Sequence, residues 1–355
     1  MITGTAGVSP LRLLRSGHDR AARGLADLGW RPVGRDVVSP GTVFVLRVST
    51  PAGVVTGVAA VFAVTDPPQR SGLLPHERTD ERAVRRRLRA LRSAHVDRDP
   101  LLLTHRGGGA VGRLVTGRTR PAVVHHDPSG ARVEVEQVDD DAVPAVLDAL
   151  SGARLLVADG HHRLAASVAL AAEGRSSSVT GLVVDADETP FSLDAIHRVL
   201  LDGDGRERLP PDASADVLAR CRAAGARVVA VTDDGGAAGD DAGAGQRVVV
   251  QHEQRRWAVS WPGHPVADVT TLVDAVLVEE EGTRIRREPS VVAASGAASR
   301  GAVAVLLPAP RLDDVLAMAG RGVLLPYKAT AFEPKVPSGV LVRPLPAWDA
   351  AHAAG

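Results

Sequence analysis

The sequence predicts an α/β or α+β protein with mixed sheets and flanking helices. Two observations support this fold class. Short β-branched and apolar runs alternate with stretches whose apolar residues recur at helical spacing. The chain has 355 residues, 45% of them hydrophobic, which is enough for two domains with cores of their own. We expect a first domain over 1–205 and a second over 206–355, because a charged segment containing Pro210 and Pro211 lies at the boundary.

Composition argues against several classes of protein. The 42 basic and 42 acidic residues cancel, which does not favour binding to nucleic acid or to an anionic membrane. A single cysteine, Cys221, excludes a disulfide framework. No run approaches the roughly 18 apolar residues of a membrane span, and no apolar signal segment begins the chain. We therefore expect a cytoplasmic protein of undetermined oligomeric state.

The first hundred residues predict a helix, a hairpin and a second helix. Apolar residues recur at helical spacing in both helices, and β-branched residues dominate the strands. The predicted ranges are 10–30 for the first helix, 42–48 and 54–64 for the strands, and 80–94 for the second helix. Thr79 or Asp80 can cap the second helix. Its six arginines predict a solvated face, with the alternative that Arg87 reaches a bound phosphate.

The next segment predicts short strands and contains two motifs that resemble ligand sites. Three consecutive glycines, Gly107 to Gly109, are followed neither by a helical pattern nor by Gly-Lys-Ser/Thr, which excludes a Walker phosphate loop. His125 and His126 have no further histidine or cysteine at ligand spacing, so we expect no metal there. A helix over 142–150 and a strand over 179–186 flank the most informative part of the chain.

That part is a strand, a tight polar turn and a helix, over residues 154–174. The apolar run 155–158 predicts a buried strand, and helical spacing resumes at Leu164. The turn between them, hereafter the 159–163 turn, consists of Asp159, Gly160, His161, His162 and Arg163. The free N–H groups of a helix start, with a glycine that lets a ligand approach the backbone, suit an anion such as phosphate. Asp159 can hold a divalent cation or orient a hydroxyl group.

The second half predicts another alternation of helices and strands. The expected ranges are 213–224, 269–280 and 312–319 for helices, and 196–200, 227–231, 247–251, 256–260 and 302–307 for strands. His197 and Arg198 form either a satisfied pair at the edge of the core or a second pair of ligands for phosphate or carboxylate. The Gly/Ala/Asp-rich segment 233–245 predicts a loop.

Both lysines of this arginine-rich chain, Lys328 and Lys335, lie in one proline-rich loop over residues 324–339 that ends in a strand. A lysine is a compact point charge, whereas an arginine is a planar fork, so these positions suggest a need for an ammonium group.

These residues supply the parts that phosphoryl transfer needs. Such a site needs donors around the phosphates, a carboxylate near a metal and a base for the acceptor hydroxyl. Glu77, next to His76 in a loop, is a separate carboxylate. Two alternatives stay open at this point. A metal-dependent hydrolase would use Asp159, His161 and His162, and a purely structural hydrogen-bonded knot would need no ligand.

Four elements in the same order resemble the bacterial domain-of-unknown-function 1015 family. The 159–163 turn resembles its Asp-Gly-His-His-Arg signature, and Arg87 matches a position where that family often has an arginine. The other three elements are His76-Glu-Arg-Thr79, Ile196-His-Arg198 and the closing segment Leu325-Pro-Tyr-Lys-Ala-Thr-Ala-Phe-Glu-Pro-Lys-Val-Pro-Ser-Gly-Val340.

The same turn resembles that of the ParB/sulfiredoxin-like superfamily, which includes nucleotide-dependent kinases of free serine. The resemblance implies a ParB/sulfiredoxin-like core within residues 1–205, and a C-terminal α/β part whose last loop, 324–339, returns to the site. It implies a phosphotransferase with an alcohol group as acceptor, free serine being the first candidate, that uses ATP or ADP with Mg²⁺. The alternatives are a non-catalytic or nucleotide-hydrolysing ParB-like module and, third, the metal-dependent hydrolase.

The resemblance also implies a role for each matched residue. Glu77 is the expected base, and Asp159 the expected ligand of the metal. The residues expected to hold phosphates are Gly160, His161, His162, Arg163, Lys328, Lys335 and Arg87. Those expected next to the substrate or behind its ligands are His76, Thr79, His197, Arg198 and Thr330.

Overall fold

The computed structural model describes eleven stretches of the chain. They are residues 12–16, 30–32, 43–51, 53–93, 96–126, 130–189, 192–231, 247–264, 266–277, 282–336 and 339–345. The predicted loop at 233–245 and most of the predicted helix at 10–30 lie outside these residues. No described helix is long and apolar enough to cross a membrane.

Twenty strands and eight helices are described, numbered here in chain order. The strands are β1 Arg12–Ser16, β2 Trp30–Pro32, β3 Phe44–Thr50, β4 Gly53–Ala63, β5 Leu73–Leu74, β6 Val96–Asp97, β7 Leu101–His105, β8 Thr119–His126, β9 Arg132–Val138, β10 Leu155–Asp159, β11 Ser178–Asp185, β12 Ser192–Ala195, β13 His197–Asp202, β14 Arg227–Val231, β15 Val248–His252, β16 Arg255–Ser260, β17 Thr283–Glu288, β18 Val303–Leu306, β19 Thr330–Glu333 and β20 Leu341–Pro344. The helices are α1 Glu81–Ser93, α2 Ala110–Val115, α3 Val143–Ser151, α4 His161–Ala172, α5 Ala213–Ala223, α6 Val266–Val276, α7 Val291–Ser299 and α8 Leu312–Gly320. This mixture confirms the predicted fold class.

The chain divides into two compact units. Unit 1 comprises residues 1–192 and 332–355, and unit 2 comprises residues 193–331. The closing segment is divided between the units, with residues 325–331 in unit 2 and the residues from 332 onward in unit 1. The predicted domain boundary near 205 stays a prediction.

Unit 1 is built on an eight-stranded mixed sheet in the order β5-β10-β7-β11-β4-β3-β9-β8. The predicted hairpin is confirmed, since β3 and β4 pair antiparallel from Phe44 opposite Ala59 to Thr50 opposite Gly53. Most neighbours are antiparallel, but β5 pairs parallel with β10 and β7 pairs parallel with β11. Leucine and valine side chains from this sheet and from α2, α3 and α4 form its main core.

Helix α1 has the amphipathic character that the sequence predicts. The Asp80 side chain accepts from the Ala83 N–H at 2.7 Å, which confirms a cap at this position. Leu91 packs with Ala166 and Leu170 of α4, while five arginines of α1 are exposed. Burial of the apolar stripe against α4 orients the arginine face to solvent.

A second sheet of unit 1 corrects the prediction for the N-terminal segment. Its order is β2-β1-β20-β6, so residues 12–16 form a strand and not part of a helix. Leu13 pairs with Leu341 of β20, more than three hundred positions along the chain. A run this short fits a strand or a helix equally by periodicity, and a distant pairing partner decides between them.

Unit 2 contains a six-stranded antiparallel sheet in the order β14-β16-β15-β18-β13-β17. Its core is formed by valine, leucine and alanine side chains of this sheet with α5 and α6 on one side and α7 on the other. The predicted elements over 213–231, 247–260 and 302–319 are present with boundaries shifted by a few residues. Strand β17 and helix α7 were not predicted. A pair formed by β12 and β19 lies where the chain passes between the units.

One further element corrects the sequence interpretation. A helix, α2, does follow Gly107 to Gly109, although it has only six residues. The interpretation that these glycines are not a Walker loop still rests on the missing Gly-Lys-Ser/Thr ending.

Candidate functional site

Parallel pairing brings the two most informative motifs to one edge of the sheet. Leu73 and Leu74 of β5 lie opposite Leu155 and Leu156 of β10. The first strand leads into residues 75–80 and the second into the 159–163 turn. Since the carboxyl ends of parallel strands meet at the same edge, these segments are neighbours, although the chain between them forms three helices and four strands.

Two consecutive histidines hold the segments together. The His161 Nε2 atom accepts from the His76 backbone N–H at 3.3 Å. The His162 Nε2 atom accepts from the Asp80 backbone N–H at 3.1 Å. The rings of His76 and His161 also meet edge to face, with centroids 4.5 Å apart. Through these two hydrogen bonds, His161 and His162 position the backbone at His76 and Asp80, on either side of Glu77.

Burial keeps the imidazoles of His76 and His161 neutral. Desolvation, followed by the positive charges of His162, Arg163 and Lys335, lowers the pKa of His161 from 6.5 to about 3. Desolvation and His161 hold the pKa of His76 well below its ordinary value, against a raising hydrogen bond at the Val157 backbone. A neutral imidazole has an unprotonated nitrogen, which is what an acceptor of a backbone N–H requires.

Gly160 makes the start of α4 accessible. Its backbone is left-handed, with φ at 105°, and no side-chain hydrogen bond caps the helix there. A Cβ atom at this position would lie 2.6 Å from the Leu101 Cδ2 atom and 2.9 Å from the Arg163 Nε atom. Only glycine fits this turn, and the first N–H groups of the helix have no acceptor within the helix itself.

Two cations converge on the Asp159 carboxylate. Arg163 pairs with Asp159 and also donates to the Pro100 backbone carbonyl. The Lys335 Nζ atom lies 3.5 Å from the Asp159 Oδ1 atom. Lys335 and Asp159 remain 46% and 40% exposed, so both can contact a ligand. This contact brings the later part of the closing segment to the 159–163 turn within unit 1.

The remaining expected residues of unit 1 lie near this edge or on α1. Glu77 is buried, and its Oε1 atom is 3.8 Å from the His76 Nε2 atom. Thr79 is half-buried. Arg87 forms an ion pair with Asp99, so its charge is balanced within the chain. Its predicted contact with phosphate stays a prediction.

Asp159 supplies one oxygen ligand suitable for Mg²⁺. This ion is commonly held by one or two carboxylates together with phosphate oxygens, so a single aspartate beside an uncapped helix start fits it. The metal-hydrolase alternative needs three protein ligands. Among the described residues, no three His, Cys, Asp or Glu side chains are grouped in this way.

Four of the expected site residues, His197, Arg198, Lys328 and Thr330, belong to unit 2. Arg198 is fully buried, and its Nε and Nη2 atoms donate to the Asp274 carboxylate at 2.6 and 3.0 Å. Its Nη1 atom donates to the backbone carbonyls of Ile196 and Lys328. The His197 Nδ1 atom accepts from the Leu307 N–H at 3.1 Å. The contacts of this pair match the interpretation of a satisfied core pair, while Lys328 is exposed and Thr330 is buried.

One contributor was missed at the sequence level. Phe332 is fully buried, and its ring lies 5.8 Å from that of His76. It therefore supports the histidine that precedes Glu77. The closing segment contained this phenylalanine, but nothing local indicated that its partner lay some 250 positions earlier.

Comparisons with known proteins give a family and a set of distant structural likenesses. No curated protein matches the chain. A free serine kinase in complex with AMP is similar at 15% identity, covering 76% of this chain and 89% of that chain, with a TM-score of 0.45. A conserved hypothetical protein from Pyrococcus furiosus gives 15%, 77% and 92%, with a TM-score of 0.45. SbnI with C-terminal truncation, from Staphylococcus aureus, gives 13%, 78% and 84%, with a TM-score of 0.47.

The family model for "Protein of unknown function (DUF1015)" matches residues 39–259, which include His76, Glu77 and the whole 159–163 turn. The resemblance noted in the sequence is thereby confirmed for the family. This chain belongs to the DUF1015 family.

Proposed function

We propose that this protein is a nucleotide-dependent kinase that phosphorylates a small hydroxyl compound, with free serine as the first acceptor to test. The observation that supports it most is the pair of hydrogen bonds from the backbone of His76 and Asp80 to His161 and His162. They hold a buried carboxylate, Glu77, beside a helix start suited to phosphate. A base and a phosphate cradle on neighbouring segments are the minimum that phosphoryl transfer requires.

In this proposal the phosphates of the nucleotide bind the N–H groups at the start of α4. The backbone donors and the partial positive charge of the helix end favour an anion there. Arg163 and Lys335 add two positive charges at the same edge. The expected phosphate contact of Lys328, which lies in unit 2, stays a prediction. Arg87 can join the site if its ion pair with Asp99 opens.

Glu77 acts as the base for the acceptor. Its carboxylate removes the proton of the substrate hydroxyl while the hydroxyl oxygen attacks the terminal phosphorus. The bond from that phosphorus to the bridging oxygen breaks, and the shortened nucleotide keeps its remaining phosphates at the helix start. ATP would yield ADP, and ADP would yield AMP. Asp159 would hold Mg²⁺, which would neutralise negative charge on the phosphates.

The test measures phosphoserine by ³¹P NMR after incubating the full chain with serine, Mg²⁺ and either ATP or ADP. Glu77→Gln keeps the size of the side chain and removes the base, so we expect turnover to fall at least about 100-fold. Glu81→Gln is the matched control, because Glu81 is 84% exposed on α1 and pairs only with Arg85 in the described contacts. It should keep the wild-type rate.

Asp159→Asn and Arg163→Ala separate binding from chemistry. Both should reduce the rise in melting temperature that the nucleotide causes, since a ligand that binds only the folded state stabilises it. If folded Glu77→Gln and Asp159→Asn variants both keep full turnover, the assignment of these residues is wrong. If nucleotide raises the melting temperature through Arg163 without any phosphorylated product, a ParB-like binding or hydrolysing module replaces the kinase.

A further inference from the structure

A three-residue turn in unit 2 is held by hydrogen bonds to each of its carbonyls. The Tyr327 carbonyl accepts from the Arg287 Nε atom at 3.1 Å. The Lys328 carbonyl accepts from the Arg198 Nη1 atom at 3.2 Å, and the Ala329 carbonyl accepts from the Ile196 N–H at 3.1 Å. Strands β13 and β17, together with the residue before β13, supply these donors, so the turn is fixed to the sheet.

These hydrogen bonds hold Lys328 in an unfavourable backbone conformation. Its φ is 52°, in the left-handed region that a lysine seldom adopts. The support behind it is substantial, because Arg198 is fully buried and its charge is neutralised by Asp274. A strained residue that its surroundings hold in place is a reason to look for a function at that residue.

Two positive charges flank one aromatic ring at this turn. The Arg287 guanidinium carbon lies 5.2 Å from the centre of the Tyr327 ring, and the Lys328 Nζ atom lies 5.5 Å from it. Within the described part of the chain, neither cation forms an ion pair with a carboxylate. Arg287 and Tyr327 are half-buried and Lys328 is exposed, so the charges are open to solvent.

We propose that Arg287, Tyr327 and Lys328 form an anion site of unit 2 that binds the phosphate oxygens of a small molecule. Arg287 is the new member, because its Nε atom is engaged with the Tyr327 carbonyl while the described contacts leave its two Nη groups to a ligand. A guanidinium fork donates in parallel to two phosphate oxygens, and the ammonium group of Lys328 adds a point charge.

This site is argued from unit 2 alone and does not rest on the kinase proposal. It gives Arg198 the role of a positioning residue. Arg198 holds the Lys328 carbonyl by a hydrogen bond, while its own charge is neutralised by Asp274 within the core. It also explains why Lys328 differs from Lys335, whose ammonium group already has a carboxylate partner in Asp159.

The two lysines allow each site to be observed separately. Reductive methylation with ¹³C-formaldehyde labels Lys328, Lys335 and the α-amino group, and it retains the positive charge. Lys328→Arg and Lys335→Arg assign the two lysine signals. The full chain is then titrated with inorganic pyrophosphate, with inorganic phosphate and with acetate as a carboxylate, at constant ionic strength.

We expect a saturable shift of the Lys328 signal with the phosphates, at lower concentration for pyrophosphate, and none with acetate. Arg287→Gln should raise the half-saturating pyrophosphate concentration for that signal at least about tenfold. Arg284→Gln, an exposed arginine on the same strand, should leave it unchanged. Arg287→Lys keeps the charge, serves if the glutamine variant fails to fold, and should still weaken binding because it loses the fork.

The proposal is overturned if the Lys328 signal does not move, if acetate moves it equally, or if the folded Arg287 variants respond like wild type. A failure of Glu77→Gln to reduce turnover would overturn the kinase and leave this result untouched. Conversely, if phosphates shift the Lys335 signal and not the Lys328 signal, the proposed site in unit 2 is wrong, and the 159–163 turn remains as the phosphate site.

Discussion

Two glycine junctions in the eight-stranded sheet have similar backbones and different surroundings. Gly107 to Gly109 connects β7 to α2, and Gly160 connects β10 to α4. Gly109 and Gly160 each precede a helix with a left-handed backbone, at φ of 74° and 105°, and neither helix start has a side-chain cap. Because β7 and β10 run antiparallel, the junctions lie at opposite edges of the sheet.

At the first junction, carboxylates of the chain itself accept hydrogen bonds from the glycine N–H groups. The Asp185 oxygens accept from the N–H groups of Gly107 and Gly109 at 3.0 and 2.8 Å, and Asp187 accepts from Gly108 at 3.0 Å. Desolvation opposes ionisation of Asp185, but hydrogen bonds from the backbone outweigh it and lower the pKa of this carboxyl. The backbone donors that would receive an external anion are already engaged.

At the second junction the adjacent carboxylate is directed elsewhere. In the described contacts, Asp159 pairs with Arg163 and Lys335 and does not accept from the start of α4. The comparison teaches that a glycine junction before a helix stays open to an external anion only when no neighbouring strand supplies a carboxylate to its N–H groups. Four predictions test this contrast, from the largest expected effect to the smallest.

Gly160→Ala should be the most damaging change. It places a Cβ atom on a left-handed backbone and within 2.6 Å of Leu101, so we expect a loss of about 3 kcal/mol in the free energy of unfolding. Nucleotide should no longer raise the melting temperature. Gly117→Ala is the control, with φ at 71° and open space around its Cβ position, and should cost only about 1 kcal/mol. Equal losses in chemical denaturation would contradict the steric argument.

Acid should destabilise the 159–163 turn through His161. The folded-state pKa of about 3 lies below the unfolded value of 6.5, so the unfolded chain binds the proton more readily. Stability is complete above pH 6.5 and falls as the pH drops toward 3, by about 1.4 kcal/mol per pH unit for this group.

His161→Gln should flatten the dependence of unfolding free energy on pH between 6.5 and 5, where the wild type loses about 2 kcal/mol from His161. Urea denaturation at several pH values measures the slope. His126→Gln, an exposed histidine on β8, should retain the wild-type slope. Identical slopes for His161→Gln and wild type would mean that His161 is not held neutral.

Asp185→Asn tests how much the Asp185 carboxylate stabilises the junction at Gly107 to Gly109. The amide presents a donor to N–H groups that need acceptors, so we expect a loss of about 2 kcal/mol at pH 7. Since the pKa of Asp185 is lowered on folding, its contribution is present above the unfolded pKa of about 4 and is lost as the pH falls through the folded value. The difference from wild type should shrink in acid.

Asp187→Asn is the comparison for this prediction, because Asp187 is about one-third exposed and its ion pair with Arg106 is solvated. Its effect should be under about 1 kcal/mol. A larger loss in Asp187→Asn than in Asp185→Asn would reverse the proposed order of importance.

Lys335→Gln should barely change stability, since both partners of its ion pair are exposed by more than a third. We expect a change below about 1 kcal/mol in urea denaturation, similar to Arg85→Gln, which removes an exposed pair on α1. The nucleotide-induced rise in melting temperature should nevertheless decrease in Lys335→Gln alone. A stability loss of several kcal/mol would assign Lys335 a structural role instead.

Local sequence determined the elements whose signals lie within a few residues. The strand and helix on either side of the 159–163 turn, the β3–β4 hairpin and the Asp80 cap follow from apolar periodicity, β-branched runs and capping chemistry. The polar composition of the turn identified it as the candidate site, because these groups contribute little to a core. The family followed from four short elements and is confirmed over residues 39–259.

Tertiary structure alone decided what these elements meet. The two-residue strand β5 has no local signal, yet its parallel pairing with β10 places Glu77 beside the turn. Residues 12–16 form a strand because β20 supplies a pairing partner. The N–H groups of the glycines at 107–109 have acceptors because β11 ends at Asp185. Hydrogen bonds between distant strands, and the burial that accompanies them, are set by the whole fold and leave no periodic trace in the sequence around either partner.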